Sequence, residues 1–339
     1  MRFDLSGCGA GLDESVSNLL QLAPWAESLG YDGLWLNEEH FGQASRICLS
    51  PILLATALAM RTRTIRIGFS VLVLPLYQPI RLAEEIATLD LLSEGRVDLG
   101  VSRGNTSRYF EAWGLDYEKR SPAFDAALST VIRYWTDPTV QVGTRTESIE
   151  PKCVQKPHPP IYVATYREDA AAWLGAHGLT LFQGSQQSVE SIRRCVRAFK
   201  DAGGDAAQVP IGRFVVVGQT DEEAWRAAWP AAAKLTAGYR RSGEQVKRRI
   251  STEEELETER WLREVAIVGS PDTVSARIAE LQDELGFGNF MLVTGFLGNL
   301  GQDHVVATLE MFAREVMPHF GRPRQKTDAS SVQSDYPGN

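Results

Sequence analysis

The chain has 339 residues and a formal net charge of −8, with 43% hydrophobic residues, enough for a sizeable core. That length holds two ordinary domains or one large α/β barrel, which needs roughly 250 residues. The acidic balance offers no basic face to nucleic acid or to an acidic membrane, and no apolar run approaches the ~20 residues of a bilayer-spanning helix. Cys8, Cys48, Cys153 and Cys195 lack C-x-x-C or zinc-finger spacing and read as reduced, mostly buried thiols. The opening "MRFDLSGCGAG" reads as a strand without the apolar segment of a signal peptide, so a cytoplasmic location is expected.

In chain order the pattern is strand then helix. Arg2–Ser6 is strand one, and Asp13 caps a helix to Ser28 that Gly30 closes. Asp32–Asn37 is strand two, and an Ala/Leu-rich helix runs from Pro51 to about Arg61. "TIRIGFSVLVLP", from Thr64, is β-branched and aliphatic enough for a fully buried parallel strand. A helix after Pro79 presents Leu82, Ile86, Leu89 and Leu92 and breaks at Gly95; "RVDLGVSRG" is strand four. Ser121–Trp135 reads as a helix and Thr139–Ile149 as a polar hairpin. Pro159–Thr165 is strand five, followed by a helix over Asp169–Ala176; "LTLFQG" is strand six, followed by Val189–Asp201. "PIGRFVVVG" is strand seven, Gly288–Thr294 strand eight, and the closing helix covers Asp303–Met317.

Eight strands alternating with helices predict an α/β fold of the (β/α)8 TIM-barrel type, spanning residues 1–320 as one domain. No G-x-G-x-x-G follows the first strand, so the dinucleotide fingerprint of an open doubly wound sheet is missing. Leu235–Arg263 is densely charged and reads as a mobile insertion between strand seven and the last βα unit, either a lid or a solvated helix pair. Gly321–Asn339 reads as a disordered tail.

Barrel enzymes work at the C-terminal ends of their strands. Strand two ends at Asn37-Glu38-Glu39-His40, strand four at Ser102-Arg103-Gly104-Asn105, strand five at Ala164-Thr165 and strand six at Gln183-Gly184-Ser185. Arg103, followed by a glycine and polar Asn105, Thr106 and Ser107, supplies what an anion-binding loop needs, while Thr165 and Ser185 precede helices whose N–H groups favour phosphate. The alternative is an Arg103–carboxylate pair at the rim. Glu38 and Glu39 alternate along an extended backbone and cannot share one pocket, which argues against a metal site with His40.

Several stretches in order resemble the luciferase-like flavin monooxygenases: "AESLGYDGLWLNEEHF", "IRIGFSVLVLPLYQPIRLAEEIATLDLLSEGRVDLGVSRG", "QKPHPPIYVA", "VGSPDTV" and "LEMFAREVMPHF". The resemblance implies a (β/α)8 barrel with flavin at the strand ends. It places a non-prolyl cis peptide at Ser70-Val71 under the flavin ring, Ser102 where luciferase has a reactive Cys, and Arg103 on the flavin phosphate. Thr165 and Tyr166, after Ala164, fall at phosphate contacts, and Glu38 at a Glu near the flavin. Where luciferase reads Glu-His-His-Phe this chain reads Glu38-Glu39-His40-Phe41, so Glu39 stands in place of the catalytic His and Glu39 and His40 are the candidate proton-transfer groups.

The implied activity is that of a two-component monooxygenase. It takes reduced FMN from a separate flavin reductase and uses O2, through a C4a-(hydro)peroxyflavin, to oxygenate a small or medium organic substrate. A ketone or aromatic substrate fits better than light-emitting aldehyde oxidation, and a homodimer through helices two and three is the expected assembly. The rivals are a deazaflavin-dependent oxidoreductase of the same superfamily, a non-catalytic flavin-binding protein, and a barrel lyase or hydrolase using Glu38 and Glu39. Trp35, Phe41, Phe69, Tyr109 and Trp113 line an aromatic pocket or, as preferred for Trp35 and Phe69, pack in the core.

Overall fold

The computed structural model describes residues 1–8, 16–41, 50–242, 258–293, 295 and 299–321. Asp13, residues 243–257 of the expected insertion and residues 322–339 of the expected tail lie outside them. The first half runs β1 (Arg2–Cys8), α1 (Val16–Ser28), β2 (Gly33–Leu36), α2 (Pro51–Ala59), β3 (Arg66–Phe69), β4 (Leu72–Val73), α3 (Pro79–Leu92), β5 (Val97–Ser102), α4 (Ser107–Ala112) and α5 (Arg120–Thr136). Then come the hairpin β6 (Thr139–Val142) and β7 (Arg145–Ser148), β8 (Ile161–Ala164), α6 (Glu168–Ala176), β9 (Thr180–Phe182), α7 (Val189–Asp201) and β10 (Pro210–Val217). The chain continues through α8 (Asp221–Ser242), α9 (Thr258–Val265), β11 (Ala266–Gly269), α10 (Pro271–Leu285), β12 (Asn289–Val293) and α11 (Gln302–Met311).

Local sequence explains where the helices begin. The Gln78 side chain accepts from the Arg81 N–H, with Pro79 in the first turn of α3, where its missing donor costs nothing. Ser188 and Ser270 cap α7 and α10 in the same manner, and Pro271 again opens the helix. Leu82, Ile86 and Leu89 bury the inner face of α3.

Ten strands form one sheet in the order β11-β10-β12-β1-β2-β3-β5-β8-β9, with β4 paired to β5, and every ladder in it is parallel. The sheet is curled. Trp35 of β2 meets Tyr162 of β8 at 5.2 Å and Phe182 of β9 at 5.5 Å between ring centroids, although several strands separate them in the sheet order. Only a sheet wrapped around that face brings them together. A parallel bridge from Gln183 to Ile211 links the end of β9 to β10.

Two departures from the expected elements follow from specific residues. The expected third strand is two pieces: a cis Ser70–Val71 bond separates β3, which pairs with β2 and β5, from β4, which pairs with β5 alone. Beyond Val73 the chain turns as a short 3-10 segment at Leu74–Leu76, where Pro75 has no N–H for a ladder. The segment expected as a mobile insertion is helical at both described ends, with Leu235 and Thr236 buried on α8 and Trp261 and Leu262 buried on α9.

The enclosed face is closed at the N-terminal ends of the strands by charge. Arg2 bridges Asp4 at 2.8 Å and Asp98 at 2.7 Å, and Arg66 pairs with Asp98 at 2.7 Å. Asp4 also accepts from Trp35 Nε1 at 2.7 Å and Asn289 Nδ2 at 3.0 Å. Above this network lies the apolar layer of Trp35, Tyr162, Phe182 and Met291, with Val71 and Ala164 packed on it. The C-terminal strand ends remain for a ligand.

Candidate active site

The loop after β2 is anchored by Glu38. Its carboxylate, 2% exposed, accepts from the Val73 N–H and, at 2.6 Å, from the Tyr77 hydroxyl. Burial, and after it the Glu38 charge and hydrogen bond, lift the Tyr77 phenol well above its ordinary range. Val73 is paired in register with Ser102, so one carboxylate ties the β2 loop to the strand ends that carry Ser102 and Arg103. His40 Nε2 is buried and lies 3.2 Å from Glu38 Oε1, close enough to attract once the ring is protonated. Glu39, between them in sequence, is half-buried.

A polar layer lies at the same end. Ser70 Oγ donates to Asn37 Oδ1 at 2.7 Å and is 3.2 Å from Ser6 Oγ. The Ser102 hydroxyl accepts from the Gly104 N–H at 3.2 Å. Gly104 has φ +80, and a Cβ there would lie 2.7 Å from Val73 Cγ1, so only glycine lets the loop pass so close to β4.

Arg103 leaves β5 without the rim carboxylate that a structural role requires. Its one side-chain hydrogen bond is a long one to Ser121 Oγ, 3.5 Å, and among the described residues it has no ion pair. Burial, and then the neighbouring charges of Arg120 and Arg167, lower its pKa. Three guanidinium groups from separate elements thus come near one another, with the Asp169 carboxylate a weaker opposing influence on Arg103 and Glu118 3.9 Å from Arg120. Arg120 stacks on Tyr117 at 3.9 Å, while Arg167 is drawn to Asp169. Thr165 Oγ1 accepts from the Arg167 N–H at 3.2 Å, and Gln183 Nε2 donates to the Thr165 carbonyl at 3.0 Å. Tyr166 is exposed, and Ala164 lies beneath on the Trp35 layer.

The residues expected from sequence therefore fall into two groups at one end of the sheet: Glu38, His40 and Ser70 around the β2 and β3 ends, and Arg103, Thr165 and Tyr166 around the β5 and β8 ends. Val73 paired with Ser102 joins them. Arg120 and Arg167 were not anticipated; the signal was present, since each stands directly before or at a helix start near an expected anion loop. Of the five candidate aromatics, Trp35 and Phe69 are fully buried, while Phe41, Tyr109 and Trp113 group around His40.

The model of the luciferase-like monooxygenase family matches residues 3–287. The oxygenase component of flavin-dependent trigonelline monooxygenase from Acinetobacter baylyi is 24% identical over 356 residues, covering 94% of this chain and 93% of the relative. Among solved structures, the oxygenating constituent of 3,6-diketocamphane monooxygenase from Pseudomonas putida, in complex with FMN, aligns with a TM-score of 0.74 at 20% identity, over 96% of this chain and 100% of the other. The coenzyme F420-dependent tetrahydromethanopterin reductase from Methanopyrus kandleri aligns with a TM-score of 0.71 at 19% identity, over 94% and 99%. At those identities the structures establish a shared fold. With the family model spanning most of its length, the chain belongs to the luciferase-like monooxygenases.

Proposed function

We propose that the protein is the oxygenase component of a two-component flavin monooxygenase, taking reduced FMN from a separate reductase and using O2 to oxygenate an organic substrate. The observation that carries this reading is Arg103, a guanidinium with no ion pair among the described residues that is flanked by Arg120 and Arg167. A flavin mononucleotide phosphate supplies the missing anion, with Thr165 and Tyr166 at the start of α6 as further donors. Ser70, Val71, Ser102 and Ala164 would hold the ring, above the buried Trp35 layer on which Val71 and Ala164 pack. Reduced flavin, when bound, supplies the activated oxygen. The chain's own residues hold the phosphate, exclude water from below and exchange one proton.

For that proton His40 is favoured over Glu39, because Glu38 lies 3.2 Å from His40 Nε2. His40 Nε2 makes no hydrogen bond among the described residues, so its ring is left to exchange a proton with substrate beside the Glu38 carboxylate. Glu38 itself is a positioning residue in this reading: its oxygens are engaged with Val73 and Tyr77. We read the curled sheet as a closed (β/α)8 barrel in one domain over residues 1–320. The Gln183–Ile211 bridge and the Gly212 N–H donated to the Gln183 carbonyl at 2.9 Å support the closure. A cytoplasmic homodimer through α2 and α3 is proposed with it, supported by exposed Leu53, Leu91 and Leu92 on those helices and Met60 just after α2.

The F420-dependent structural neighbour makes a deazaflavin oxidoreductase the second reading. The test couples the protein to a flavin reductase, NADH and FMN under 18O2 with a substrate panel. Incorporation of one labelled oxygen, lost in Arg103→Ala, is expected; turnover with a reduced deazaflavin and no label would replace the first reading by the second.

A further inference from the structure

An aromatic and cationic face stands open beside the Glu38–His40 pair. The His40 ring lies 4.9 Å from Tyr109 and 4.6 Å from Trp113, and Phe41 lies 6.0 Å and 6.1 Å from the same two rings. Phe41 and Trp113 are nevertheless 51% and 43% exposed. The guanidinium of exposed Arg108 sits 5.7 Å from both the Phe41 and Tyr109 ring centroids and donates to the His40 carbonyl at 3.4 Å. The His40 N–H in turn donates to the Tyr109 hydroxyl oxygen at 3.3 Å.

Large flat side chains left half in water at a strand-end site are a surface for a ligand that covers them. Aromatic rings pair best with other flat rings, in offset or edge-on contact. Arg108 adds a directional requirement, because a planar guanidinium matches a carboxylate with two parallel donors, and its hydrogen bond to the His40 carbonyl keeps it beside the Phe41 and Tyr109 rings. A neutral aliphatic substrate would use neither feature.

We propose that Phe41, Tyr109, Trp113 and Arg108 form the substrate-binding face, and that the substrate is a planar aromatic or heteroaromatic carboxylate. The inference rests on the oxygenase reading for its chemistry, and it assigns Arg108 as the residue that selects an acid over its neutral counterpart. Bound there, the ring of the substrate covers Phe41 and Trp113 and lies next to His40.

The test is calorimetric titration of the full-length protein, with and without anaerobic reduced FMN, using 4-hydroxybenzoate and indole-3-carboxylate against the two corresponding amides. At least one acid is expected to bind about tenfold more tightly than its amide, as a charge-assisted hydrogen bond implies. Arg108→Gln should remove that preference and leave amide and FMN binding unchanged, while Arg108→Lys restores part of it. Trp113→Ala should weaken acid and amide alike. Equal binding of acids and amides, an unchanged preference in Arg108→Gln, or failure of all four probes to bind a protein that does bind reduced FMN would each overturn the proposal. Failure of reduced FMN to bind would strike the oxygenase reading instead, and the acid preference measured without flavin would still decide this one.

Discussion

Glu38→Ala isolates the anchoring role assigned to this carboxylate. The side chain is 2% exposed and accepts from two donors, the Val73 N–H and the Tyr77 hydroxyl. Alanine leaves both donors without an acceptor, and an orphaned buried donor costs about 1–3 kcal/mol, so the loss sums to about 2–6 kcal/mol. Glu38→Gln retains one accepting oxygen and should lose roughly half of that. Urea unfolding followed by circular dichroism measures the difference, as a lower midpoint at unchanged slope. An alanine variant with the parent's unfolding midpoint would refute the reasoning, since it would mean that water or other groups satisfy both donors.

Three further outcomes follow. Gly100→Ala places a Cβ 1.8 Å from the Phe69 carbonyl oxygen, a backbone atom that cannot rotate away, so overpacking should cost at least ~1–3 kcal/mol and thermal unfolding should show it. Burial pushes the Asp98 carboxyl up, but Arg2 and Arg66 more than offset it and hold it below the ordinary range. Its stabilisation is therefore full above the unfolded value of ~3.9 and lost as pH falls through the folded one, and unfolding of Asp98→Asn measured from pH 6 to 3 should show a weaker acid dependence than the parent. Leu53→Glu, on the exposed face of α2, should convert a homodimer to monomer in sedimentation with little change in unfolding, and an unchanged sedimentation coefficient would remove the dimer face.

Periodicity and punctuation carried most of the architecture. The Val/Ile/Leu-rich runs of β5, β10 and β12 are buried along nearly their whole length, so a predominantly apolar pattern was an adequate signal even with Asp98 and Arg213 inside it. The third strand was not legible as two pieces because the residues on either side of Ser70–Val71 are equally apolar. Pattern alone does not register a change of pairing partner. The Ser270-Pro271 start of α10 is a helix signal in the sequence, a capping serine followed by a proline in the first turn. Six-residue α4 lacks room for a helical period, and it carries Arg108 and Tyr109.

Within the site, strand-end logic found Arg103, and geometry supplied what sequence could not: that it has no ion pair among the described residues and that Arg120 and Arg167, 17 and 64 positions further along, come near it. Sequence also left Glu39 and His40 equal. The structure separates them: His40 Nε2 lies 3.2 Å from the buried Glu38 carboxylate, an approach that no linear pattern announces.

The measurement closest to the central claim is an anaerobic titration with reduced FMN and, separately, with reduced deazaflavin, followed by mixing with oxygenated buffer while the absorbance spectrum is recorded. The account predicts saturable binding of reduced FMN, severely weakened in Arg103→Ala, and an oxygen-dependent spectral intermediate distinct from both reduced and oxidised flavin. Tight binding of the deazaflavin with no reaction toward oxygen, or FMN affinity untouched by Arg103→Ala, would contradict it.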